Sequence, residues 1–413
     1  MINSLTYYSV IAIFLIIWYL PICIADSSMM SRSFIWHGVI IGLAWFILNK
    51  NTDSRINNNK LLFSINLFWA YLLVYNIIWL ASGTSGIIYY IISVTSWVFC
   101  ANLFYRLGTL NESKKYMIKK MELVDLLKWA SIFMIFSIFV HQLVLFTKIG
   151  FIFDLAAGYG VGGTDVQLFK NIYPFFLAAF SIGVFLIRRR SVALLLIALI
   201  LVGIVLSNKR GPLVGMSIAL FVMVMFQGNI KNVFKVVIVI SILILLAYYL
   251  STIYFPELTD SFIRRFSDED EIGSGRLTVW SQAFQIWMNE SNPIFGEGPG
   301  GSSKLISRTI WGAGLNAHSD YMDVLFQYGF LGSLLQLTYC FRIIKIIWAV
   351  HKEKQFQYKN MLIYSGTFIV VTMVYTMTYL YIVSIISSIF FFYILGKYRK
   401  FKQLASTNKK YRK

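Results

Sequence analysis

The chain has 413 residues, of which 58% are hydrophobic and 13% are charged, and its mean hydropathy is +0.68. This composition excludes a soluble globular protein and predicts a polytopic membrane protein. The formal net charge of +19 is explained by Lys and Arg in cytoplasmic loops, so we expect no nucleic-acid partner. Cys23, Cys100 and Cys340 all lie in apolar runs and predict neither a disulfide nor a metal site.

Apolar runs recur along the chain, and a run of about 20 residues is long enough to cross about 30 Å of hydrocarbon as a helix. No alternation typical of barrel strands is present, so we predict an all-α polytopic fold. The run at 361–396 is too long for one crossing and is predicted to fold as a hairpin around residues 378–381. We predict about twelve transmembrane helices, at residues 5–24, 34–48, 61–80, 86–105, 125–146, 171–187, 191–207, 212–227, 232–250, 321–349, 361–378 and 380–396.

The loops that are cytoplasmic when both termini are inside contain most of the Lys and Arg residues, as expected for membrane proteins. The predicted organisation has four parts. These are helices 1 to 9 in residues 1–250, a large extracytoplasmic catalytic loop with short amphipathic helices at 251–320, helices 10 to 12 at 321–396, and a basic cytoplasmic tail at 397–413. The halves show no internal repeat, which argues against a transporter built from repeats.

A short outer turn at residues 207–212 contains two cations, Lys209 and Arg210. Cations on the outer face are unexpected, because Lys and Arg are enriched in the cytoplasmic loops of membrane proteins. Either they reach lipid phosphates, or Arg210 binds an anion at the membrane surface through its bidentate fork.

Arg276 lies in the first turn of a predicted helix that ends at Asn292 and Pro293. The dipole disfavours a cation there by up to about 1 kcal/mol. Either Arg276 and the free N–H groups hold an anion, or the arginine pairs with the acidic run at 268–271. The helix is predicted to place one apolar face at the headgroup boundary or the top of the bundle, formed by Leu277, Trp280, Phe284 and Trp287.

The glycine-rich run at 296–301 has neither a preceding strand nor a following Lys-Ser or Lys-Thr pair. It is therefore not a nucleotide-binding loop. It is either a plain loop or a turn that brings backbone close to a sugar or phosphate.

His318 is the one histidine on the predicted outer face. It can transfer a proton near neutral pH or hydrogen-bond a reacting hydroxyl, or its position has no functional meaning. Asp320 and Asp323 follow in the first turn of a predicted helix that Ser319 or Asp320 can cap, so capping explains them without catalysis. No second outer His or Cys is present to complete a zinc site.

The order and spacing of these motifs resemble the superfamily of O-antigen ligases and polymerases. Those bacterial enzymes assemble surface polysaccharides from undecaprenyl-diphosphate-linked sugars. Many members have Asn after the histidine, where this chain has Ser319. The resemblance covers residues 207–332, through the turn at 207–211, Gly275 and Arg276 with Trp280, Asn292 and Pro293 before Gly296 and Gly298, and residues 317–321 before Gly329 and Gly332.

This resemblance implies a metal-independent, inverting glycosyl transfer without a cofactor, on the extracytoplasmic face of the bacterial inner membrane. Arg210 and Arg276 would hold the diphosphate leaving group, and His318 would position or deprotonate the acceptor hydroxyl. The neighbouring motif residues expected at the substrate are Lys209, Gly275, Asp320 and Tyr321. The implied partners are an undecaprenyl-diphosphate-linked oligosaccharide and membrane lipids, with a chain-length regulator protein as a further candidate.

Within this superfamily, the roomy loop around the glycine run and the His-Ser-Asp-Tyr sequence favour a polymerase. A polymerase transfers a growing glycan from its lipid diphosphate to another lipid-linked repeat unit. The first alternative is a ligase, which transfers glycan to a lipid A core. The second is a lipid-linked oligosaccharide flippase, which would need cations inside the bundle.

Overall fold

The computed structural model describes eight continuous ranges of the chain and some single positions between them. Every regular element in these ranges is an α-helix, which confirms the predicted all-α class for the described part. The continuous ranges are 59–81, 87–109, 173–184, 190–206, 210–226, 275–310, 319–374 and 381–410, and Ala317 is among the single positions.

Ten helices occur in the described ranges, and we number them in chain order. They are α1 (Lys60–Ala81), α2 (Ile87–Thr109), α3 (Tyr173–Val184), α4 (Arg190–Leu206), α5 (Arg210–Met225), α6 (Arg276–Glu290), α7 (Gly301–Ile306), α8 (Asp320–His351), α9 (Lys359–Thr372) and α10 (Tyr381–Lys410).

Eight predicted spans coincide with helices, namely with α1 to α5 and α8 to α10. Within the described part, α1 and α8 are long and apolar enough to cross a membrane. The long apolar run is divided between two helices, because α9 ends at Thr372 and α10 begins at Tyr381. Residues 378–380 of the predicted hairpin turn lie outside the described residues. The spans at 5–24 and 34–48 lie outside the described residues, and those at 125–146 and 232–250 are described only at single positions. The count of twelve therefore stays a prediction.

The packing directions of two helix pairs follow from their contacts. Phe68 of α1 meets Tyr339 of α8 with ring centroids 5.5 Å apart, and Tyr71 further along α1 reaches back to the carbonyl of Tyr328. These two helices are therefore antiparallel. The α2 and α10 helices are parallel, because the Trp97 indole donates to the Ser388 hydroxyl at 2.8 Å and Gly108 then packs against Gly396.

The α2–α10 contact is close because both helices present glycine. A Cβ atom added at Gly108 would lie 2.0 Å from the Tyr393 carbonyl oxygen, and one at Gly396 would lie 2.2 Å from that of Tyr105. Small residues let membrane helices approach closely enough for extensive van der Waals contact. These glycines therefore set the distance between the two helices.

The buried apolar residues form two clusters. The larger one joins α1 to α5 with α8, α9 and α10. The smaller one joins α6, α7 and the start of α8 through Val279, Ala283, Trp287, Leu305 and Phe326. The loop region thus has its own small core, built beside the beginning of α8.

The packed face of α6 differs from the predicted one. Val279, Ala283 and Trp287 are buried, whereas Leu277 is 63% exposed and Phe284 is 37% exposed. Leu277, Trp280, Phe284 and Trp287 lie on one side of this helix, but of the four only Trp287 is fully buried. The helix thus carries two adjacent apolar stripes, and periodicity alone does not show which stripe packs against protein.

The α8 helix is broken at Gly329, whose φ of 67° and ψ of −168° are not helical. Residues 293–298 lie against the break and satisfy the backbone groups that it frees. This matters because an unpaired backbone polar group is costly away from water. We call the break in α8 together with residues 293–298 the joint. Four backbone hydrogen bonds hold it together, from the N–H of Glu297 to the carbonyl of Phe326 (2.8 Å), Gly298 to Gln327 (2.9 Å), Phe330 to Pro293 (2.9 Å) and Leu331 to Ile294 (3.2 Å).

Candidate active site

The two arginines singled out in the sequence occupy equivalent local positions. Arg210 is the first described residue of α5, and Arg276 is the first residue of α6. The expectation that residues 207–212 form one turn is corrected, because Arg210 already belongs to a helix. Both arginines stand where the helix dipole favours an anion and free N–H groups are available. The side chain of Arg210 and the whole of Lys209 lie outside the described residues.

Gly275 provides the turn into α6. Its φ of 66° is in the left-handed region, which glycine adopts without the strain of a Cβ atom. Arg276 is partly buried, and its Nε atom is enclosed by protein. One helical turn later, Trp280 lies on the same side of α6. The acidic run at 268–271, predicted as an alternative partner of Arg276, is outside the described residues.

Both backbone polar groups of Ala317 are hydrogen-bonded to side chains. The indole N–H of Trp280 donates to the Ala317 carbonyl at 2.7 Å. The Ala317 N–H donates to the Asp323 carboxylate at 3.0 Å and to the Ser302 hydroxyl oxygen at 3.1 Å. Ser302 in turn donates to Asp323. We call Trp280, Ser302 and Asp323 the Ala317 clamp.

The clamp joins three separate parts of the chain. Trp280 comes from α6, Ser302 from α7 and Asp323 from the first turn of α8. Ser302 and Asp323 are fully buried, and a buried carboxylate is tolerated where it accepts hydrogen bonds. Because Arg276 lies one turn from Trp280, the clamp brings the start of α6 beside the residue that precedes His318.

The residues after position 318 are also fixed. Ser319 is the N-cap residue of α8, but its side chain makes no capping hydrogen bond. Instead, its carbonyl accepts from the Asp323 N–H at 2.8 Å, and the Asp320 N–H donates to the Met373 carbonyl at 2.9 Å. The Asp323 carboxylate accepts a hydrogen bond from the Ala317 N–H, which is a role beyond the predicted one at the helix N-terminus. His318 itself lies outside the described residues.

The start of α5 lies at the same end of the bundle as this segment. A Cβ atom built on Gly215, five residues after Arg210, would lie 3.0 Å from the Thr372 side chain at the end of α9. The next residue, Met373, accepts the hydrogen bond from Asp320. Five helical residues rise about 7.5 Å. The backbone of Arg210 is therefore at the end of the bundle where α8 begins.

Two further predicted site residues are largely engaged inside the protein. Asp320 is 7% exposed. The Tyr321 hydroxyl donates to the Val370 carbonyl at 3.0 Å and lies 3.5 Å from the Cys340 sulfur. The structure thus gives Tyr321 a packing contact between α8 and α9, and its role at the substrate stays a prediction.

The glycine-rich run is a structural joint as well as a loop. Gly298 lies on Trp79 of α1, because an added Cβ would be 2.3 Å from the indole ring. Glu297 forms an ion pair with Lys304 at 2.9 Å. Burial alone would raise the pKa of Glu297, but the Ser291 hydroxyl and the positive charge of Lys304 together hold it below its ordinary value. The run thus ties α7 to α1 and α8.

The sequence motifs did not identify Ser302 or the binding role of Asp323. Asp323 was assigned to the first turn of α8 only, and Ser302 follows the glycine run without any distinguishing pattern. Trp280 was placed on an apolar face, although its indole N–H makes the contact that matters. No local signal predicts these contacts, because Trp280 and Ala317 are 37 positions apart.

Residues 193–337 match a protein-family model described as O-antigen ligase. No curated protein matches the chain. The matched segment begins in α4 and ends in α8, so it contains both arginines, the Ala317 clamp and the joint at Gly329. The match supports the O-antigen ligase and polymerase superfamily for residues 193–337, a family of membrane-bound, glycosyltransferase-like enzymes.

Proposed function

We propose that the protein is a polysaccharide polymerase of bacterial surface glycans. It transfers a growing glycan from undecaprenyl diphosphate to the non-reducing end of another lipid-linked repeat unit. One structural observation supports this most strongly. The start of α6, with Arg276, is tied to Ala317 through Trp280, and the start of α5, with Arg210, lies at the end of the bundle where α8 begins.

The donor diphosphate is assigned to the two arginines. A cation at a helix N-terminus is unfavourable alone, but an anion between the guanidinium and the free N–H groups reverses this. Arginine also binds phosphate oxygens through two parallel hydrogen bonds. Lys209 and Gly275 precede the two arginines directly, so an added cation and a turn without a Cβ atom would stand beside the diphosphate.

The reaction is a direct displacement at the anomeric carbon. The acceptor hydroxyl forms the new glycosidic bond as the bond from that carbon to the diphosphate oxygen breaks, which inverts the configuration. The electron pair leaves with undecaprenyl diphosphate, whose charge Arg210 and Arg276 stabilise. The hydroxyl proton passes to His318 and then to solvent.

The proposed setting is the cytoplasmic membrane, with the active site on its outer face and both termini inside. The family match and the two long apolar helices support a membrane protein. The remaining topology rests on the distribution of Lys and Arg. A lipid-linked donor in the outer leaflet would then reach the arginines from the bilayer.

A ligase is the second candidate, because the family match is compatible with both reactions. Both reactions use the same donor, so they differ only in the acceptor. The sugar hydroxyl of a second lipid-linked unit serves the polymerase, and a lipid A core serves the ligase. No observation favours the flippase alternative.

The test is elongation by the purified protein in vesicles that contain an undecaprenyl-diphosphate-linked repeat unit. Wild type is expected to produce a ladder, and Arg276→Ala and His318→Ala are expected to be about 100- to 1000-fold slower. Arg308→Ala is the matched control, because Arg308 pairs with Glu290 on the exposed surface of the same loop. It should elongate at the wild-type rate.

The acceptor then separates the two candidates. A ladder formed from the lipid-linked unit alone supports the polymerase. Product formed only after lipid A core is added supports the ligase instead. Wild-type rates in Arg276→Ala or His318→Ala would remove that residue from the proposed catalytic set.

A further inference from the structure

Three backbone polar groups beside His318 are held by hydrogen bonds. Ala317 is bound at both its N–H and its carbonyl, and the Ser319 carbonyl accepts from Asp323. We propose that the Ala317 clamp positions His318 for the acceptor hydroxyl, an inference that rests on the proposed function. Trp280, Ser302 and Asp323 are then positioning residues that act through His318.

The peptide bond that follows Ala317 is planar. The Ala317 carbonyl, the peptide nitrogen of residue 318 and its Cα atom lie in one plane. A hydrogen bond of 2.7 Å from Trp280 to that carbonyl therefore restrains the orientation of the peptide plane after Ala317. Such a restraint affects the reaction rate strongly, since a displacement of a catalytic group by about 1 Å can lower the rate about 100-fold.

The other side of the clamp restrains Ala317 from the opposite direction. The Asp323 carboxylate and the Ser302 hydroxyl both accept from the Ala317 N–H. Asp323 belongs to the first turn of α8, where the helix dipole favours its negative charge. Because Asp323 also donates its N–H to Ser319, one residue holds the chain on both sides of position 318.

Trp280 also connects the two halves of the proposed reaction. It lies one helical turn after Arg276, which is assigned to the donor, and it binds the residue before His318, which is assigned to the acceptor. The distance between these two groups along the chain is 42 residues, yet one indole sets their relative placement. This explains why a tryptophan, with a rigid ring and one N–H donor, occupies the position.

A purely structural clamp would stabilise the loop without affecting the action of His318, and a pair of matched tryptophans separates the two roles. Trp287 lies seven residues after Trp280 on the packed side of α6 and is fully buried. Its indole N–H has no hydrogen-bond partner among the residues that the structure describes. Trp280→Phe and Trp287→Phe therefore remove the same atoms from the same helix, but only Trp280→Phe removes a bond to Ala317.

The experiment measures kcat and the KM for the donor in vesicles that contain the undecaprenyl-diphosphate-linked repeat unit. Trp280→Phe is expected to lower kcat about 10- to 100-fold with an unchanged KM. Trp287→Phe should keep kcat within about twofold of wild type. In a His318→Ala background, Trp280→Phe should cause no further loss of the residual rate, because the residue through which it acts is absent.

The outcomes separate the inference from the proposed function. If His318→Ala is slow and Trp280→Phe slows it by the same factor again, Trp280 acts independently and the positioning inference is wrong, while the proposed function stands. If His318→Ala elongates at the wild-type rate, the catalytic assignment itself is wrong. Asp323→Asn is run through the same cycle, so a poorly folded Trp280→Phe protein would still leave the clamp testable.

Discussion

Gly329→Ala tests whether the break in α8 and the loop at 293–298 form one structural joint. The backbone of Gly329, with φ of 67° and ψ of −168°, lies in a region that is essentially restricted to glycine. A Cβ atom added there would also lie 2.3 Å from the Ile294 carbonyl oxygen. That oxygen accepts the hydrogen bond from Leu331, so the substitution strains the backbone and breaks the joint together.

The expected cost follows from these two parts. Backbone strain in this region contributes about 1 to 3 kcal/mol. The loss of one hydrogen bond in the joint adds about 1 kcal/mol. We therefore expect Gly329→Ala to lower the free energy of unfolding by about 3 kcal/mol.

Gly300→Ala is the matched control. Gly300 has a φ of 82°, but an added Cβ atom there would meet nothing within 4 Å. Its cost is therefore the left-handed strain alone, about 1 to 2 kcal/mol. Thermal unfolding of both variants in detergent, followed by tryptophan fluorescence at one heating rate, measures the difference. Equal shifts of the two midpoints would refute the claim that Gly329→Ala disrupts the joint, because backbone strain alone would then account for both shifts.

Three further predictions concern the loop and the donor site. Tyr71→Phe is expected to cost about 1 kcal/mol in the same unfolding assay, because its hydroxyl donates at 2.9 Å to the Tyr328 carbonyl beside the break. Glu297→Gln should remove an acid-dependent loss of stability. The pKa of Glu297 lies below its ordinary value of 4.5 in the folded protein. Its ion pair with Lys304 therefore stabilises the fold fully above about pH 4.5, and this contribution is lost as the pH falls further. The contribution to the free energy of unfolding is less than about 1 kcal/mol. Arg276→Lys should retain part of the donor affinity but lose the bidentate fork, which initial rates at several donor concentrations measure.

Each of these has a result that contradicts it. A Tyr71→Phe protein as stable as wild type would show that the hydroxyl contributes nothing to the joint. An unchanged acid step in Glu297→Gln would assign that step to another carboxylate. Full activity in Arg276→Lys would show that charge alone, without the fork, serves the donor.

Much of the helical framework could be predicted because membrane helices are apolar along most of their length. Runs of the expected length located α1, α2 and α8 within a few residues. The break in α8 could not be predicted this way. Gly329 sits in an apolar run with no proline, and only the loop at 293–298, about 30 residues earlier in the chain, supplies the hydrogen bonds that make the break possible.

The site was predictable where its residues are chemically distinctive and not where they are ordinary. Two arginines and a histidine on the predicted outer face attract attention because cations are less frequent on that face and the chain has only 4 histidines. Ser302 and Asp323 are common residue types whose role comes from a contact with the backbone of Ala317. The packed side of α6 could not be predicted for a related reason, since an apolar stripe on a membrane protein need not pack against protein.

The most direct test of the central claim is the surface-glycan gel profile of a host that lacks this gene, complemented with wild type or with His318→Ala. We predict that the ladder collapses to a single repeat unit without the gene, that wild type restores it and that His318→Ala does not. Long polymer that persists on undecaprenyl diphosphate but is missing from the lipid A core would identify a ligase. An unchanged ladder would contradict the enzymatic account.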